Sequence, residues 1–162
     1  MSSGYLPEHL APFMRALEVA DREARALDAS WRGLAHAQID AAQLEHLAPE
    51  SALAIAIEAF AARFGRLQDH LGEKLIPRLL ALLGETPQAL IDNLNRAERL
   101  GVLDDALDWL AWRKLRNRLV HEYLQGADTL AQAIGQALLA TPRLTATVDA
   151  IRRRARQTGA PV

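Results

Sequence analysis

The chain has 162 residues, half of them hydrophobic and 24% charged, which is typical of a globular domain and not of a disordered segment. It contains no cysteine, which excludes disulfides and thiolate metal sites and is common in proteins of a reducing cytoplasm. The formal net charge of −1 excludes a broadly basic surface that wraps nucleic acid, so any such contact must use a local patch.

Two features of the sequence argue against a membrane protein. No apolar stretch is long enough to span a bilayer. Residues 1–6 also lack the basic segment and apolar run of a signal peptide. We therefore expect a soluble, cytoplasmic protein with no membrane partner.

The first third of the chain predicts two helices. Apolar residues at helical spacing indicate a first helix over residues 7–27. Residues 29–39 show no clear period and are predicted to form a connection that Trp31 packs onto the fold. A short helix is predicted over residues 40–47, ending before Pro49.

The middle of the chain predicts a long, interrupted helix. Gly72 and Pro77 indicate a kink or break within it, and Gly84 indicates its end. Thr86-Pro87 is predicted to cap and begin the next helix, which runs to Gly101. The long helix is recognised from an apolar stripe at steps of three and four residues: Ile57, Phe60, Phe64, Leu67 and Leu71.

Two further helices are predicted in the last third. Asp104 or Asp105 is expected to cap the first of them, which should end near Gly126. Asp128 is expected to cap the second, with a kink or split at Thr141-Pro142. No segment alternates with the period of a strand.

These elements predict an all-α fold, an up-and-down bundle of about five to six helices in one domain over residues 1–162. Residues 1–50 would form the N-terminal helix and its connection. Residues 51–157 would form the bundle core, and residues 158–162 a short tail.

The stretch Arg116-Asn117-Arg118-Leu119-Val120-His121-Glu122-Tyr123 concentrates potential chemistry on the first of the two helices predicted in the last third of the chain. A guanidinium can hold a phosphate, and an imidazole can move a proton near neutral pH. On an ideal helix Arg116 and Tyr123 lie within roughly 20° of each other, whereas Arg116 and His121 lie about 140° apart. Asn117 and His121 are four residues apart, so the amide can hydrogen-bond the ring.

The 140° separation bears on how such a site would be built. A straight, isolated helix cannot easily present Arg116 and His121 to one ligand. Either the helix unwinds near Val120, or a second copy of the chain supplies part of the site. Both possibilities indicate a groove between subunits.

The order Arg116-Asn117, three residues, His121, one residue, Tyr123 resembles the Arg-x4-His-x-Tyr motif of HEPN-domain proteins, in particular HepT-like toxins. The specific match covers these eight residues, and the all-α pattern is compatible over most of the chain. The resemblance implies a homodimer whose paired motifs line a cleft and cleave RNA without a metal or other cofactor.

The resemblance also implies roles for the individual residues. His121 would exchange a proton with the ribose 2′-hydroxyl or the leaving oxygen, and Arg116 would stabilise the charge of the transition state. Asn117 would orient His121 or the phosphate. Tyr123 would match the tyrosine that a partner antitoxin, a minimal nucleotidyltransferase, modifies with AMP groups. A non-catalytic HEPN module that binds nucleotide, or presents substrate to a nucleotidyltransferase, is the alternative.

The same residues also have a purely structural interpretation. Arg116 would then be a surface ion-pair partner, His121 a residue of the core or of a helix end, and Tyr123 a packing residue. Cationic side chains are favoured near a helix C-terminus because they complement the helix dipole.

The long predicted helix carries a second polar cluster before Gly72: Arg63, Arg66, Gln68, Asp69 and His70. Asp69, Arg66 and Gln68 are candidates to support the motif, and Gln68-Asp69 is the pair to test first. The favoured interpretation of the whole cluster is nevertheless a solvated face opposite the Phe60 and Phe64 stripe.

Three other features favour structural interpretations. The basic run over residues 152–156 suits a helix C-terminus and has no interleaved aromatic residues for base stacking. Trp109 and Trp112, one turn apart, are predicted to anchor the core or a dimer interface. No metal site is expected, because no spacing typical of metal ligands occurs among the five histidines: His9, His36, His46, His70 and His121.

Overall fold

The computed structural model describes residues 4–121 and 126–162, and it is all-helical over these residues, as predicted. A short 3-10 helix, Pro7–His9, precedes the first α-helix. The α-helices are α1 Leu10–Leu34, α2 Ala41–Glu45, α3 Ala52–His70, α4 Ile76–Leu82, α5 Leu90–Arg99, α6 Ala106–His121 and α7 Ala127–Gln157. A π-helical turn, Leu71–Leu75, joins α3 to α4.

Helix α1 is longer than predicted, because the predicted connection over residues 29–39 is helical as far as Leu34. Trp31 anchors this extra part, since its indole Nε1 donates to the carbonyl of Leu138 on α7 at 2.9 Å. Pro142 lies four residues after Leu138 and has no N–H to donate to that carbonyl. The indole supplies the missing donor. Because this hydrogen bond is a tertiary contact, it leaves no periodic signal in the sequence.

The interruption predicted at Gly72 and Pro77 is a π turn and not a break. The backbone N–H of Ile76 donates to the carbonyl of Leu71, five residues back. Pro77 follows directly after the π turn, as the second residue of α4. Helices α3 and α4 and the π turn between them therefore form one continuous helix, and Gly72 is buried at the widened turn.

The prediction that Thr86-Pro87 begins a helix is wrong. Helix α5 begins at Leu90, after an extended Ala89. The Asn93 side chain accepts from the Gln88 N–H at 2.7 Å and donates to the Gln88 carbonyl at 2.9 Å, which holds the preceding segment outside the helix. Gly84 and Gly101 do end helices as predicted, with φ of 83° and 75°, conformations that glycine adopts without strain.

Of the two caps predicted in the last third of the chain, the one at Asp104 or Asp105 is confirmed and the one at Asp128 is wrong. Asp105 caps α6, because its carboxylate accepts from the Leu107 N–H at 2.7 Å. Helix α7 has Gly126 and not Asp128 at its N-cap, and it continues unbroken past Pro142. The predicted end of α6 near Gly126 falls beyond His121, where residues 122–125 lie outside the described residues.

Helix α6 packs on α3 and α7. Helix α1 also packs on both of these helices. The core contains the fully buried side chains of Phe13, Phe60, Phe64 and Trp109. In the described part of the chain, no helix is both long and apolar enough to cross a membrane. The packing of α6 on α3 determines where the motif residues lie.

Candidate functional site

Arg116 lies at the edge of the α6–α3 interface. The adjacent Leu115 and the nearby Leu119 are buried in the core, which fixes the rotation of α6. Arg116 therefore points across to α3, where its Nη2 donates to Oδ2 of Asp69 at 2.6 Å. About a third of each side chain is exposed, 34% for Arg116 and 35% for Asp69. The guanidinium is thus held in place while part of it still faces solvent.

Gly65 allows this close approach. A Cβ added at Gly65 would lie 3.1 Å from Nε and 3.2 Å from Cγ of Arg116, closer than ordinary van der Waals contact. The side chain of Arg116 therefore crosses α3 directly over this glycine on its way to Asp69. An isolated glycine inside a helical pattern is a known signal of close packing, and Gly65 could have been singled out on that basis.

Asn117 and His121 are both exposed on α6. Helix α6 keeps α-helical geometry through Val120 to His121, so the unwinding considered for Val120 is not seen. The angular separation of Arg116 and His121 is therefore that of a regular helix, about 140°. Within one protomer, Arg116 faces α3 and His121 faces solvent. The remaining possibility, a second copy that completes the site, stays a prediction.

The surroundings of the motif are strongly basic. Residues 113–121 contain four arginine and lysine side chains and no acidic one. The whole chain has a net charge of −1 and residues 113–121 contribute +4, so the rest of the chain has a net charge of −5. Arg113 and Lys114 are exposed, and neither has a hydrogen-bonding or ionic partner among residues 4–121 and 126–162. A local anion-attracting patch thus occurs on an otherwise acidic protein.

The side chains of the polar cluster before Gly72 contact different parts of the fold. The interpretation of the cluster as one solvated face is therefore wrong. Gln68 is buried, with Nε2 donating to the Trp109 carbonyl at 3.3 Å. Arg63 donates to the Ser30 hydroxyl at 2.8 Å, and His70 shares a hydrogen bond with the Ala16 carbonyl at 2.7 Å. Of the three residues predicted to support the motif, only Asp69 contacts Arg116. Gln68 instead donates to the Trp109 carbonyl. Arg66 pairs with Glu23 of α1 at 3.1 Å.

The tryptophan pair is mainly structural. Trp109 is buried in the core, as predicted. Trp112 lies half-buried with the Arg143 guanidinium 5.0 Å from its ring centroid, so that this ring face is covered. The hydrogen bond from Arg143 to Asp108, at 2.6 Å, raises the pKa of Arg143 above its ordinary value. This arrangement ties α6 to α7.

The basic run at the end of α7 contributes to a network of local contacts. Arg152 pairs with Asp21 of α1 and, at 2.9 Å, with Asp149. Arg154 donates to Gln157 at 3.3 Å, and Arg156 donates to the carbonyl of Val162. The run therefore behaves as the helix end that the sequence favoured.

Tyr123, the predicted regulatory residue, lies outside the described residues. In the part of the chain that the structure describes, no group of three or more potential metal-ligating side chains occurs. Comparison with known proteins gives no match to a family model, to a curated protein or to a solved structure. The function must therefore be argued from the site itself.

Proposed function

We propose that the chain is a HepT-like ribonuclease toxin of the HEPN family, which cleaves RNA in the cleft of a homodimer without a metal ion. The observation that supports this most is the placement of Arg116. It is oriented by Asp69 over Gly65 and lies on the same basic helix as an exposed amide and imidazole. Cleavage of a phosphodiester requires such groups: a fixed cation that stabilises the negative charge of the transition state, and a nearby side chain that transfers protons.

The reaction that suits these groups is attack by the ribose 2′-oxygen on the adjacent phosphorus. A bond forms between the 2′-oxygen and phosphorus, and the bond from phosphorus to the 5′-oxygen breaks. One imidazole accepts the 2′-hydroxyl proton, and a second donates a proton to the leaving oxygen. Arg116 stabilises the extra negative charge on the phosphoryl oxygens, and Asn117 orients either His121 or the phosphate.

A dimer is part of the proposal because one protomer is geometrically incomplete. Arg116 and His121 are separated by about 140° around a regular helix and face different directions. If two copies paired across the exposed side of α6, the arginine of one could face the imidazole of the other. The same pairing supplies two imidazoles, one to accept and one to donate a proton.

Asp69 has a double role in the proposed site. It fixes the direction of Arg116 and, as a carboxylate, competes with an incoming phosphate for the guanidinium. Arg116 has five N–H donors, so a phosphate can bind the donors that Asp69 does not use. Asp69 is a positioning residue in this scheme, because it acts on the substrate through Arg116.

Regulation by a minimal nucleotidyltransferase antitoxin belongs to the same proposal. AMP groups attached to Tyr123 would add bulk and negative charge seven positions after Arg116 in the chain. A phosphate of the modifying group would then compete with RNA for the guanidinium. The test is whether the modified toxin loses RNA cleavage while Tyr123→Phe resists both modification and silencing.

The second candidate function is a non-catalytic HEPN module that binds nucleotide or serves as a partner of a nucleotidyltransferase. The separation of Arg116 from His121 within one protomer favours it, because Arg116 by itself can bind a phosphate but cannot cleave RNA. This candidate predicts nucleotide binding that depends on Arg116 and is indifferent to His121.

The deciding experiment incubates the purified full-length chain with RNA in the presence of a chelator. Cleavage is expected from the wild type and should be lost in both Arg116→Ala and His121→Ala. Arg99→Ala and His46→Ala, which change exposed residues outside α6, are the matched controls. Intact RNA with the wild type, together with harmless expression in cells, would overturn the ribonuclease proposal. Arg116-dependent nucleotide binding would then support the second candidate.

A further inference from the structure

A small cavity opens beside the Arg116–Asp69 pair, between the π turn and α6. Its volume is about 20 Å³, which is room for one water-sized group. Its polar lining comes from Gln68, Asp69, Glu73 and Arg113. The ribonuclease scheme above uses only Asp69 of these, so the cavity is a feature that this scheme leaves unexplained.

Gln68 points to an occupant of this cavity. Only 2% of the residue is exposed, and its Nε2 donates to the Trp109 carbonyl. Its Oε1 is buried and has no hydrogen-bond partner. A buried acceptor without a donor is costly, and such atoms are rare in folded proteins. Gln68 also lines the cavity, so a group that enters it lies beside this side chain.

The charges around the cavity define the chemistry of that donor. Gln68 Oε1 and the carboxylates of Asp69 and Glu73 are all hydrogen-bond acceptors. An N–H group with two hydrogens could satisfy more than one of them. The exposed Arg113 at the same cavity presents a planar guanidinium, which can stack on an aromatic ring.

We propose that this cavity receives the exocyclic amino group of an RNA base, which adenine, cytosine and guanine carry, next to the phosphate held by Arg116. The inference rests on the proposed ribonuclease function and adds a base preference to it. The amino group enters, while the ring stays at the mouth against Arg113. Uracil carries no amino group and leaves Gln68 Oε1 without a donor.

The test compares two RNA oligomers that differ only by this amino group. One contains adenosine, and the other contains purine riboside at the same positions. Both are 2′-O-methylated, because an oligomer without free 2′-hydroxyls cannot be cleaved by the proposed mechanism. The full-length chain should bind the adenosine oligomer about five- to tenfold more tightly, as expected for one or two hydrogen bonds.

Gly72→Ala is the sharpest variant. A Cβ at Gly72 would lie 3.4 Å from Leu90 Cδ1 and 3.5 Å from Trp109 Cζ2, which is ordinary van der Waals contact. The added methyl group therefore fits the fold and fills the cavity. It should abolish the preference for adenosine and leave binding of the purine riboside oligomer unchanged.

Gln68→Met is the second variant, because it removes the unpartnered oxygen at nearly constant volume. Gln38→Met, in the exposed connection after α1, is its matched control. Loss of the preference in Gln68→Met but not in Gln38→Met is the supporting result. If Gln68→Met does not fold, Gly72→Ala decides alone.

The outcomes separate this inference from the proposed function. Equal binding of both oligomers by the wild type, or a preference that survives Gly72→Ala, overturns the base-recognition site and leaves the ribonuclease proposal standing. In that case the cavity holds only water. Failure to bind either oligomer, together with intact RNA in the cleavage assay, overturns both.

Discussion

The two basic regions of this chain, residues 113–121 of α6 and residues 152–156 of α7, have similar compositions and different surroundings. In α7, Arg152 meets two carboxylates, and Arg154 and Arg156 bond to nearby groups. In α6, Arg116 meets one carboxylate, while Arg113 and Lys114 are exposed. The two regions therefore differ in how their partly buried arginines are held, Arg152 by two carboxylates and Arg116 by one.

The largest expected difference between the two regions is in RNA cleavage. Arg116→Ala should lower the cleavage rate by about 10²- to 10³-fold, because it removes the group that stabilises transition-state charge. Arg152→Ala should leave the rate unchanged and lower stability by about 1 kcal/mol, since it removes a partly exposed ion pair. Rate assays and thermal unfolding of both variants check this. A comparable rate loss in Arg152→Ala would show that the two regions do not differ as described.

The next effect concerns the path of Arg116 over α3. Gly65→Ala should displace the Arg116 side chain and lower cleavage about tenfold, although alanine is the better helix former. Gly135→Ala, in α7, is the control, because a Cβ there has no atom within 4 Å. It should raise stability by up to about 1 kcal/mol and leave cleavage intact. Full cleavage by Gly65→Ala would mean that the position of Arg116 is not critical.

A smaller effect is expected on the salt dependence of RNA binding. Lys114→Ala should reduce the slope of log affinity against log salt by about 0.7, the contribution of one phosphate contact on a single strand. Arg153→Ala changes an exposed arginine of the α7 run and should leave the slope unchanged. Titrations at several salt concentrations measure both slopes. Equal slope changes would remove the distinction between the two basic regions.

The smallest effect is expected from the paired carboxylates. Asp69→Asn keeps the shape of the side chain but removes its charge, so inorganic phosphate should bind about threefold more tightly through Arg116. Asp21→Asn makes the same change beside Arg152 and should not alter phosphate affinity. Calorimetry with inorganic phosphate measures both. Weaker phosphate binding by Asp69→Asn would mean that Asp69 acts by orienting Arg116 more than by competing with the ligand.

The fold class and several helix ends were predictable because their signals are local. The apolar stripe through Phe60 and Phe64 repeats with the helical period, and Gly84 and Gly101 occupy backbone conformations that favour glycine. The start of α5 was not predictable in this way. It depends on the hydrogen bonds between Asn93 and Gln88, which compete with the helix cap suggested by Thr86-Pro87.

The sequence by itself determined that the chain is helical, that α6 carries an arginine, an amide and an imidazole, and that Arg116 and His121 point in different directions on a regular helix. These properties follow from the helical repeat. Only the tertiary structure decided that Arg116 meets Asp69, 47 positions away, and crosses Gly65 to reach it. Such contacts depend on how two helices rotate and pack against each other, and a one-dimensional pattern does not encode that rotation.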